Sequence, residues 1–194
     1  MNVIPQTPIT RRVLATAALA MIGSVGPLAL VPAHAASGQE LAANGRRALH
    51  QLLDTSAPAR RVSRGAVAVL VFPSVLKAGF VFGGETGNGV LLERDRPVAF
   101  YNLSGGSWGL QIGGQDFSYA LFFMNRKGLA YLDKSAGFQV GTGPSIVVIN
   151  KGAAAEGDTT TLTQDVYAFP FNAKGLMAGL DIEGAKITRI HKQA

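Results

Sequence analysis

Between Gly65 and Gln115 the chain reads GAVAVLVFPSVLKAGFVFGGETGNGVLLERDRPVAFYNLSGGSWGLQIGGQ, with glycines set inside segments that otherwise alternate like β-strands. Glycine weakens a strand and packs nothing, so this density implies bulges, sharp bends and close approach of neighbouring backbone. The same stretch is poor in the acids, bases and nucleophiles of catalysis. Its residues shape a sheet, which points to a binding protein and away from an enzyme.

The flanking pattern fills in the architecture. Ser37 stands three residues before Glu40, the capping-box spacing. Leu41, Ala48, Leu49, Leu52 and Leu53 then share one side of a 3.6-residue period. This predicts an amphipathic helix from Ser37 to Leu53, closed by Thr55 to Pro58. Ala66 to Phe72 is a continuous apolar run, the pattern of a buried strand, which Pro73 is expected to end. Phe80 to Gly84 and Gly89 to Glu93 read as a hairpin about Glu85-Thr86-Gly87-Asn88. Further strands are expected at 98–103, 117–124, 138–140, 145–149, 166–169, 176–182 and 186–190, with a short helix at 126–132 and an exposed loop at 151–161. Trp108, Leu110 and Ile112 alternate with Ser107, Gly109 and Gln111, so Trp108 is expected in the core on a strand. The fold class is α+β: an N-terminal amphipathic helix packed on a curved, mostly antiparallel sheet or partial barrel.

The first 35 of the 194 residues read as a signal peptide. Arg11 and Arg12 form its positive region, Val13 to Val31 its apolar region, and Ala33-His34-Ala35 its cleavage site. The paired arginines also suit the twin-arginine export route. Cleavage after Ala35 leaves a single domain over 36–194, periplasmic or secreted. Of 18 basic residues, 16 remain against 12 acids, a net charge of +4. That suits an anionic lipid surface and is too diffuse for nucleic acid. The chain has no cysteine, which excludes disulfides, thiolate metal sites and a lipobox anchor.

The runs VLVFPSVLKAGFVFGGETGNGVLL, SGGSWGLQIGGQ and FPFNAKGLMAGLDIEG closely resemble the SYLF domain family, also called the Ysc84-like actin-binding domain. The resemblance extends from Leu41 to the C-terminus. It is most specific at FPSVLKAG, SWGLQIGGQ and KGLMAGLDIEG. Family members occur as secreted single-domain proteins in bacteria, and in eukaryotes are joined to Src-homology-3 or FYVE modules. Eukaryotic members are associated with phosphoinositide membranes and with actin. For a bacterial secreted member the resemblance implies lipid binding, since actin is absent from its compartment.

Two sets of residues stand out as candidate contacts for an anionic headgroup. Arg46, Arg47, Arg60, Arg61 and Arg64 lie on or beside the amphipathic helix, where they would suit an anionic membrane or simply form a solvated face. Lys77 is the one charge between Arg64 and Glu85, and a lone cation in apolar sequence either snorkels at a rim or neutralises an anion. Other motifs point to less. Gly105-Gly106-Ser107-Trp108-Gly109 matches the G-x-S-x-G nucleophile elbow, with Asp165 or Asp181 and His191 in formal triad order, but the residues after Ser107 alternate as a strand where the elbow needs a helix. The Gly83 to Gly89 run lacks the glycine order and following lysine of a phosphate loop. Neither His50 nor His191 has a second histidine at metal-binding spacing. The expectation is a non-enzymatic binder of anionic phospholipid or a phosphoinositide-like headgroup in the bacterial envelope, without metal or cofactor. An envelope protein-interaction module is the alternative, and a serine hydrolase using Ser107 a third reading.

Overall fold

The computed structural model describes residues 37–79, 82–108, 113–133, 138–139, 145–149, 163–174 and 185–191. The expected leader, the loop expected at 151–161, the strand expected at 176–182, and Leu110 and Ile112 fall outside them. The first helix, α1 (Gly38–Thr55), begins where the capping box sets it, with the Ser37 hydroxyl accepting from the Glu40 amide at 3.2 Å. Ser56 both closes α1, its amide bonding the Leu52 carbonyl at 2.9 Å, and opens a second helix, its hydroxyl accepting from the Ala59 amide at 3.2 Å. This α2 (Ala57–Ser63) carries Pro58 in its first turn, where the missing amide costs nothing. The sequence pattern predicts an end to helical structure at 55–58, and α2 continues past it. Only Ala59 and Val62 of α2 are buried, too few to write a periodicity.

Four long antiparallel strands follow: β1 (Ala68–Gly79), β2 (Phe82–Glu93), β3 (Arg96–Trp108) and β4 (Gly113–Phe123). A short helix α3 (Arg126–Ala130) runs into a 3-10 turn (Tyr131–Asp133), close to the expected 126–132. Strands β5 (Phe138–Gln139), β6 (Ile146–Val148), β7 (Val166–Lys174) and β8 (Lys186–Ile190) complete one eight-stranded sheet in the order β5-β8-β3-β2-β1-β4-β7-β6. Among the described residues only the β6–β7 pairing is parallel. The sheet curls strongly, as a half-barrel, so the expected fold class stands. The described residues belong to one unit, Ala35–Ala194.

Both faces of the sheet are apolar. On the inner face Leu70, Phe72, Tyr101, Leu103, Phe117, Tyr119, Leu121, Val166 and Ile187 form one core, joining strands from opposite ends of the sheet order. On the outer face Val71, Val90, Leu92, Ala120, Phe122 and Phe169 pack with Ala42, Leu49 and Leu52 of α1 and Ala59 and Val62 of α2. Each such aliphatic or aromatic side chain contributes about 1.5–3 kcal/mol by leaving water. At Gly45 an added Cβ would clash with Val90 Cγ1, so α1 lies directly on β2 there.

Two local expectations are corrected. Glu85 to Asn88 is not a hairpin turn but the middle of β2, paired on both sides with β1 and β3. The β2–β3 turn falls instead at Arg94 and Asp95, with φ of 49° and 65°, flanked by the Glu93–Arg96 pair. Neither residue is glycine or asparagine, so no turn signal marked it. Pro73 does not end its strand. It sits inside β1 at a bulge, where the register shifts against both neighbours. A proline is tolerated there because the bulge removes the need for a ladder donor. Pro97 in β3 likewise adjoins a register shift, between Leu91 and Leu92 of the facing strand. Trp108 lies on a strand as expected, ending β3, and Gly113 begins β4; the alternation expected through Leu110 and Ile112 falls outside the described residues.

Candidate functional site

The arginines divide into two groups by the element that carries them. Arg46 and Arg47 project from α1 into a shallow groove that also takes in His50, Asp54 and Asp95. Arg47 donates to the Asn44 side chain, and His50 Nε2 lies 3.7 Å from Asp95 Oδ1 at an exposed position. Two acids therefore face two arginines, and the groove is less positive than the sequence suggested. Arg60, Arg61 and Arg64 belong to α2 and its C-cap, and all three are exposed. At 100° per residue they span about 100° of one helix face, opposite the buried Ala59 and Val62. Arg60 turns back to donate from Nη1 to the Leu53 and Asp54 carbonyls at 2.5 and 2.9 Å, capping the end of α1. Arg61 and Arg64 have no such intramolecular bond among the described hydrogen bonds and face solvent.

Lys77 does not join them. It lies inside the curl, 7% exposed, with its ammonium 3.8 Å from Glu85 Oε2. The register makes this row: Lys77 of β1 stands opposite Glu85 of β2 and Gln115 of β4, and Glu85 stands opposite Gly105 of β3. Lys77, Glu85 and Gln115 are all buried. A Cβ at Gly105 would come within 2.8 Å of Glu85 Oε1 and 3.3 Å of Ala185 Cα, so a glycine here makes room for the carboxylate. The row closes the inner core beyond Val75 and Phe117. It also gathers the sequence motifs that looked most specific: Lys77 from FPSVLKAG, Gln115 from SWGLQIGGQ, and Ala185 directly after KGLMAGLDIEG. Glu85 and Gln115 were not singled out from the sequence. The signal existed, since Lys77 and Glu85 are symmetric about Val81, but placing the turn at 85–88 hid it.

Ser107 lies within β3 opposite Gly83, and Gly113 to Gln115 are strand, so the described residues form no helix where an elbow needs one. On β8, Ile190 stands opposite Phe100, seven residues before Ser107, so about 23 Å of strand separates Ser107 from the neighbourhood of His191. Asp165 accepts from the Asn125 amide at 2.7 Å, at the start of β7. No Ser107–His191 pair is assembled. Among the described residues no group of three His, Cys, Asp or Glu could hold a metal ion, and no helix is long and apolar enough to cross a membrane.

Residues 104–193 match the Ysc84 family model, described as Las17-binding protein actin regulator. Over these residues, a little under half of the chain, the sequence is similar to the Ysc84 (SYLF) family. The resemblance read from the sequence therefore holds for the half that contains β4, β7 and β8, with the end of β3. This is a family of binding domains and not a known enzyme family. The matched stretch includes Gly105, Gln115 and Ala185 of the buried row but none of the five arginines and not Lys77. No curated protein matches the chain.

Proposed function

We propose that this SYLF-type domain is exported, cleaved near Ala35, and binds anionic phospholipid at the envelope surface without catalysing a reaction. The observation that carries the reading is the exposed arc of α2, where Arg61 and Arg64 face solvent. Guanidinium groups held on a helix surface attract anionic headgroups at about 1 kcal/mol each, and the effect fades within a Debye length of about 8–10 Å. The family match supports a binding role. The headgroup is of the phosphate-bearing class, phosphoinositide-like or a simpler anionic phospholipid, because guanidinium pairs with phosphate through two parallel hydrogen bonds. Lys77 takes no part in this contact, since its charge is already answered by Glu85 inside the fold.

Vesicle co-sedimentation tests the proposal. The protein is expected to pellet with vesicles carrying anionic phospholipid, to pellet less with neutral ones, and to be released as salt is raised. Protein that stays in the supernatant with both vesicle types at low salt would favour an envelope protein partner instead. Labelling of Ser107 by a fluorophosphonate probe would revive a hydrolase.

A further inference from the structure

The buried row rests on a bulge that reverses which side chains of β1 face inward. Before it, Ala68, Leu70 and Phe72 point into the inner core; after it, Val75 and Lys77 do, and Leu76 points out, 54% exposed. The pairings show one extra residue in β1. Val71 stands opposite Val90 and Ser74 opposite Asn88 on one side, while Phe72 stands opposite Tyr119 and Val75 opposite Phe117 on the other. Continue the first register without the bulge, and Leu76 takes the place of Lys77 opposite both Glu85 and Gln115. Hydrophobicity alone favours that alternative: it would bury a leucine and return a lysine to water. The chain adopts the opposite arrangement.

We infer that the Lys77–Glu85 ion pair is a register key, selecting the bulged pairing of the distal sheet over an unbulged one that apolar burial would otherwise prefer. Glu85 faces inward in either register, because β2 carries no shift across this segment relative to β3. Only the bulged register gives that buried carboxylate a cation. In the unbulged one Glu85 would be buried against Leu76, and an uncompensated buried charge is strongly disfavoured. The key is needed because side chains specify little nearby. Gly79, Gly83, Gly84, Gly87, Gly105, Gly106, Gly113 and Gly114 fill the distal pairings, and glycine-rich strands slip easily. Pro73 works in the same direction, since β1 has neighbours on both sides and an unbulged ladder would place the residue that lacks an amide within it. This inference concerns the fold and stands whether or not the domain binds lipid.

The chain has no cysteine, so Leu76→Cys supplies a single thiol whose alkylation reports the register. In the otherwise native protein the thiol is expected to react as an exposed one. Adding Glu85→Leu removes the charge that Lys77 answers, so the strand should shift by one residue, carrying position 76 inward and Lys77 out. Alkylation should then slow by about tenfold or more, as for groups that react only through local opening. Adding Pro73→Ala as well removes the second obstacle and should slow it further. Urea unfolding establishes that each variant is folded when it is labelled. Unchanged alkylation in both folded variants overturns the inference, and so does loss of cooperative folding in both, since the pair would then be holding the sheet together and not choosing its register.

Discussion

The Ser118 hydroxyl of β4 donates to the Pro73 carbonyl of β1 at 2.8 Å. Ser118 is buried, and its oxygen in turn accepts from the Asn172 amide of β7 at 3.4 Å; the same amide reaches the Gln51 side chain of α1 at 3.1 Å. A bulge leaves ladder groups without strand partners, and this chain of bonds supplies one. It also ties the bulge to the helix that covers the outer face. Ser118→Ala would remove the partner of the half-buried Pro73 carbonyl, a cost of about 1 kcal/mol. The midpoint of urea unfolding should fall accordingly, with the slope unchanged.

Gly45 marks the tightest contact between helix and sheet. Gly45→Ala improves helix propensity by about 1 kcal/mol but forces a methyl against Val90, which is fully buried and stiff at χ1. Overpacking of this kind costs about 1–3 kcal/mol, so the variant should be destabilised or at best neutral. Adding Val90→Ala should make the Gly45→Ala change favourable, which a double-mutant cycle by thermal or urea unfolding reads directly.

The β2–β3 turn holds two non-glycine residues, Arg94 and Asp95, at positive φ. Left-handed backbone costs an L-residue about 1–2 kcal/mol, and asparagine followed by glycine relieves much of it. Arg94→Asn with Asp95→Gly should raise stability by about 1 kcal/mol. The exposed His50–Asp95 contact that is lost contributes little.

On the membrane surface, Arg61 and Arg64 should act together and Arg60 apart from them. Arg61→Gln with Arg64→Gln should weaken binding to anionic vesicles by about 2 kcal/mol, roughly thirtyfold, and flatten its salt dependence. Arg60→Gln should instead lower folding stability, because its guanidinium closes the last turn of α1. Equal losses of vesicle affinity from all three arginines would show that the cap does not hold Arg60 back.

Ser37 and Glu40 set the start of α1, the spacing of Leu41, Ala48, Leu49 and Leu52 set its buried face, and the alternating apolar runs set most of the strands. These follow from the sequence because each is a local pattern whose period matches one backbone geometry. The glycines announced a sheet of bends and close contacts, and the motifs around Lys77, Gln115 and Ala185 pointed to the family. Tertiary structure alone decided how the strands meet. The turn at Arg94-Asp95, the helix at 57–63 and the course of β1 through Pro73 carry no local signature that outweighs competing readings, since proline ordinarily stops a strand and an arginine rarely opens a turn. The fate of Lys77 is the clearest case. By its own sequence it could snorkel at a rim or meet an anion, and its direction depends on a one-residue bulge three to four positions earlier. That bulge is favoured only once β2 and β4 bring Glu85 and Gln115 to either side, because side-chain parity along a strand is set by register and register is a property of neighbours.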